Sequence, residues 1–83
     1  MNKRLHQLER IIRYEYNCFI TVCYPRDKAL IFLRHISDLL RFKVRYLYDT
    51  GRISEDERHF MLMVITNYRM YYANIIHMYF RKF

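Results

Sequence analysis

Eighty-three residues allow one small domain, and here 53% are hydrophobic and 18% aromatic, with one Gly and one Pro. That is too apolar for a disordered chain, and a chain of this size buries only roughly 60% of the surface its unfolded form exposes, so a partner or another stabilising device is expected. Fifteen Lys and Arg, eleven of them Arg, against eight Asp and Glu give a net charge of +7, which favours acidic partners (nucleic acid, an anionic membrane surface, an acidic protein) without choosing among them.

The first segment, residues 3–24, opens on polar and charged residues with no apolar run and no small-residue cleavage site, so no signal peptide is expected. Leu5, Leu8, Ile12, Tyr16, Phe19 and Cys23 recur at steps of three and four, the spacing of an amphipathic helix. The stretch "NCFITVCY" also alternates and is rich in strand formers, but a strand there has no evident pairing partner, so helix is the expectation. Lys3, His6, Arg10 and Arg13, with Asn17, line one side of this helix, and Glu9 stands four residues before Arg13, placed to pair with it. Cys18 and Cys23 are separated by about 140° of helical rotation, poor geometry for a disulfide. Buried thiols in a reducing, cytoplasmic setting are expected instead. Neither suits a nucleophile, since an apolar helix raises a thiol's pKa and no base is at hand.

Pro25, in "CYPRD", suits the first turn of a new helix and cannot continue the old one. The second segment, residues 26–50, carries a core stripe of Ala29, Phe32, Leu33, Ile36, Leu40, Val44 and Leu47. A second apolar set, Ile31, Phe42 and Tyr46 with His35 among them, lies on another face. Arg34, Arg41 and Arg45, with Tyr48, line the back of the helix, and Arg34 is placed four residues before Asp38 to pair with it. With only Asp38 and Asp49 nearby, the charge of this row is expected to be largely uncompensated. "RYEY" (13–16) and "RYLY" (45–48) both set Arg beside Tyr, a pairing suited to phosphate contact or base stacking. Lys43 falls where another apolar residue is due beside Ile36 and Leu40; it either snorkels to solvent or pairs with Glu15 in the interior.

The junction "YDTGRISEDE" is the strongest punctuation in the chain. Gly51 can take the left-handed conformation that ends a helix, and Ser54 followed by Glu57 reads as a capping box for the next, with Ile53 placed for a staple. The third segment, residues 54–81, has a core stripe of Met61, Ile65, Tyr68, Tyr72, Ile75 and Tyr79. Phe60, Met63, Met70 and Met78, spaced by Asn67 and Asn74, form a second stripe more than a quarter turn away. The apolar stretch at 67–80 is interrupted by Arg69, so no membrane span is expected.

The predicted fold is all-α, a single domain over residues 1–83, with three long antiparallel helices forming a small bundle. Two helices carry more apolar surface than one bundle face requires. That surplus either thickens the core or meets a partner, and the interface reading is favoured because Met and aromatic residues cover much area there. The partner-interface residues are Phe60, Met63, Asn67, Met70, Asn74 and Met78. The simplest occupant is a second copy, completing the bundle by dimerisation; a partner protein that is acidic or has an apolar groove is the other. The alternative is nucleic-acid binding through Lys3, Arg10, Arg13, Arg34, Arg41, Arg45 and Tyr48, without a helix-turn-helix, whose helices are shorter than these.

Chemistry is not expected. His6, His35, His59 and His77 match no zinc spacing, and His59 and His77, though on one helix face, are about 27 Å apart along the axis. The carboxylates are placed to pair with Arg or cap helices, and a single Gly rules out a glycine-rich phosphate loop. No catalytic residue, metal ligand or cofactor is therefore assigned. With few Ala and Gly and many Ile, Tyr and Asn, the composition resembles that of small proteins of AT-rich mobile elements or phages. The resemblance implies a regulator or inhibitor that acts by protein–protein contact on host machinery.

Overall fold

The computed structural model describes residues 3–20 and 26–80, which form helices α1 (Lys3–Ile20), α2 (Arg26–Asp49) and α3 (Glu55–Phe80), with no strand among the described residues. The expected extension of the first helix to residue 24, with Cys23 and the Pro25 boundary, lies outside them, as does the side chain of Tyr79.

The α2–α3 junction forms as its sequence predicts. Gly51 has φ +74°. Its amide donates to the Tyr48 carbonyl at 3.0 Å and the Arg52 amide to the Leu47 carbonyl at 2.8 Å, the paired bonds that close a helix through a left-handed residue. Three residues after Gly51, the Ser54 amide donates to Glu57 Oε1 at 2.8 Å and the Glu57 amide to Ser54 Oγ at 3.1 Å. The capping box is thus complete. The bond from the Ser54 amide, aided by the Arg4 guanidinium, holds the Glu57 carboxyl below the usual carboxylate range. Arg4 Nε lies 3.1 Å from Glu57 Oε2, and its Nη2 donates to the Arg52 carbonyl at 3.2 Å, fastening the start of α1 to the junction.

That contact sets the topology. Arg4 meets Glu57, Glu9 meets Tyr68 and Asn17 meets Tyr72, so α1 runs in the same direction as α3 while α2 returns between them. The helices pack together in an up-down-up arrangement spanning 46 × 23 × 17 Å.

Tyr16 is the centre of the core. It is fully buried, its ring stacks on Tyr68 and Tyr72 at 5.5 and 5.6 Å, and its hydroxyl lies 2.6 Å from Ser37 Oγ and donates to the Ile65 carbonyl at 3.2 Å. Ser37, equally buried, donates to the Leu33 carbonyl at 2.9 Å. A buried hydroxyl is tolerated because it is hydrogen-bonded, and burial pushes the Tyr16 phenol's pKa up. Around it Leu8, Ile12, Phe19, Ala29, Leu33, Leu40, Val44, Met61, Ile65 and Tyr72 are buried as their spacing predicts. Leu5, Ile36, Leu47, Tyr68 and Ile75 are half-buried at the rim. Three further residues, Ile53, Val64 and Ile76, join the core.

Two expectations are corrected, and the alternatives left open at Lys43 are decided. Phe32 is 38% exposed rather than in the core, because it sits about 100° of helical rotation from Leu33 and so off the buried stripe. Phe60 is half-buried against the core rather than part of the outer stripe. Lys43 and Glu15 are both exposed, so the interior ion pair does not form and Lys43 snorkels to solvent.

Candidate interaction surfaces

The outer face of α3 is apolar. Met63, Met70 and Met78 are 55%, 60% and 70% exposed, and Asn67 and Asn74 are exposed between them. Tyr71, which the sequence reading passes over, is 59% exposed beside them. Its signal was present: it follows Asn67 by four residues and so continues the same face. Next to this stripe, a groove of about 470 Å³ opens between α1 and α3, lined by Glu9, Val64, Asn67, Tyr68 and Tyr71. The Tyr68 hydroxyl donates to Glu9 Oε1 at 2.5 Å across it. Burial, and then this bond to a carboxylate, push the Tyr68 phenol up to about 12.

Lys3, Arg10 and Arg13 are exposed on the flank of α1 whose Glu9 and Asn17 reach α3. Arg13 lies 4.0 Å from Glu9, the pairing its spacing predicts. The basic row of α1 therefore borders the α1–α3 groove and the methionine stripe beyond it.

The α2 basic row is elsewhere. Asp38 pairs with Arg41 at 3.1 Å rather than with Arg34, and Arg45 lies 3.8 Å from Asp49. Two of the three arginines are compensated, contrary to the expectation of a largely bare positive row; Arg34 is exposed. Arg41, Arg45 and Tyr48 line a cleft of about 410 Å³ between α2 and α3, together with Arg58. The Arg58 guanidinium sits 4.9 Å over the Tyr48 ring, and its Nε is buried with no hydrogen-bond partner. Spacing along one helix cannot reveal Arg58, which comes from the other helix. The seven residues expected to grip a polyanion thus split into two patches on opposite flanks of α3.

A third surface is the outer face of α2. Ile31, Phe42 and Tyr46 are exposed there with His35, as the second apolar set predicts, and Leu39 joins them. Cys18 is exposed rather than buried, and all four histidines are exposed. Among the described residues no three His, Cys, Asp or Glu side chains lie close enough to hold a metal ion, and no helix is long and apolar enough to cross a membrane. No family model, curated protein or solved structure matches the chain.

Proposed function

We propose that the protein is a non-enzymatic regulator or inhibitor, of the small phage or mobile-element type, that acts by gripping a protein partner with its α1–α3 face. The observation that carries this reading is the exposed stripe of Met63, Met70, Tyr71 and Met78 beside an open apolar groove. Contiguous exposed apolar surface on so small a chain marks an interaction site, and methionine adapts to a partner's shape. Lys3, Arg10 and Arg13 on the border select for acidic side chains. The partner that fits is an acidic amphipathic helix, apolar along one face, laid into the groove.

The test is a titration of the labelled full chain with a synthetic Glu/Leu amphipathic helical peptide, read by NMR. Shifts should gather on Met63, Met70 and Tyr71 and vanish in Met70→Glu. Shifts scattered over the molecule, or none, would contradict the reading.

A second reading is favoured by one feature. Arg41, Arg45 and Arg58 line the α2–α3 cleft together with Asp49, and Arg58 lies over the Tyr48 ring, a combination that suits phosphate contact with base stacking. If nucleic acid is the ligand, affinity falls steeply with salt. Changing Arg34, Arg41 and Arg45 together to Gln should then flatten that slope by roughly one unit per lost phosphate contact; an unchanged slope would remove this row as the site.

A further inference from the structure

On α2, Phe32, His35, Leu39, Phe42, Tyr46 and Asp49 follow one another at steps of three and four, and all six are exposed on the face turned away from the core. Sustained alternation of that kind is the seam spacing of a two-helix coiled coil. It runs for about 26 Å of the 24-residue helix. We infer that this face pairs with the same face of a second copy, with the two α2 helices antiparallel about a two-fold axis at Leu40–Arg41.

The charges choose the direction. In the antiparallel alignment Leu39 meets the second copy's Phe42 at the centre, and His35 meets its Tyr46 on either side. Asp38 comes beside Arg45 across the seam, and the two-fold axis makes each contact twice. Toward the ends, Asp49 falls about one turn from the second copy's Lys28. The parallel alignment instead sets each seam residue on its own copy, so that Asp49 meets Asp49. Like charges at such positions oppose pairing. Within one chain Asp38 is bonded to Arg41 in a part-buried pair and Arg45 lies 3.8 Å from Asp49 in an exposed one, and ion pairs this open to solvent hold their partners weakly. They can be exchanged for the contact across the seam. The seam lies on a different helix from the face assigned to a foreign partner, so either can fail without the other.

The test is sedimentation of the full chain over a range of concentrations, with helix content followed by circular dichroism. The wild type should dimerise. Phe42→Glu should be monomeric with its helix content kept, since Phe42 is 68% exposed. Asp38→Arg and Arg45→Asp should each weaken the dimer several-fold, and the double variant should recover it. Met70→Glu should dimerise as the wild type does. A wild type that stays monomeric, a Phe42→Glu that still pairs, a double variant as weak as either single, or a Met70→Glu that is monomeric would each overturn the seam.

Discussion

Along α3, Ile65, Tyr68 and Tyr72 turn toward α1 and α2, while Met63, Met70 and Tyr71 from the same turns face solvent. The two sets are similarly apolar, so hydrophobicity does not separate them. Polar partners at matching heights do. Tyr68 finds Glu9, Tyr72 finds Asn17 at 3.2 Å, and both rings stack on Tyr16. Tyr71 touches only the edge of this group, its ring 5.2 Å from that of Tyr72 and nearly perpendicular to it. In a small domain whose third helix is apolar almost all round, the inner face is the one whose hydroxyls are satisfied.

The largest effect separates the faces directly. Ile65→Ala removes fully buried methyl groups and should lower unfolding free energy by about 2–5 kcal/mol in chemical denaturation. Met70→Ala, on the outer face, should stay within about 0.5 kcal/mol of the wild type. Equal losses at the two positions would erase the distinction.

Smaller effects come from the junction that aims both faces. A Cβ at Gly51 meets nothing within 4 Å, so Gly51→Val is penalised by its positive φ alone, by about 1–2 kcal/mol. Ser54→Ala should lose about 1 kcal/mol with the cap. If Gly51→Val leaves the melting temperature unchanged, the α2–α3 hairpin does not depend on this turn.

The smallest effect is alkaline. The folded state keeps the Tyr68 phenol protonated up to about 12, whereas an ordinary phenol titrates at 10.0. Its contribution is fully present below pH 10 and is lost as pH rises from 10 toward 12. Tyr16 and Tyr72 are shifted in the same direction, chiefly by burial. Denaturation midpoints should therefore fall across that window, and Tyr68→Phe should make the fall shallower.

Much of the fold was legible in the sequence because its signals are local. Three-four spacing found the helices, and the Gly51 and Ser54–Glu57 pattern found their junction bond for bond. What spacing does not reveal is set by packing between helices and by side-chain geometry. Arg58 reaches Tyr48 across two helices, and Phe60 is drawn toward the core by the packing of α3. Asp38 had arginines on both sides, and only side-chain geometry decides for Arg41. The outer methionines are legible as a second face from their spacing, and Leu39 and Tyr71 lie in phase with the same exposed stripes.

The claim that the fold is complete without the outer α3 face is tested most directly by Met70→Glu, through its thermal melting and its binding of the acidic helical peptide together. A surface change of about 0.5 kcal/mol moves the melting temperature of a domain this size by no more than about 4 °C. The account predicts a shift within that range, unchanged helix content and loss of the peptide. A variant that unfolds would make Met70 part of the core, and one that melts normally yet still holds the peptide would remove this face as the binding surface.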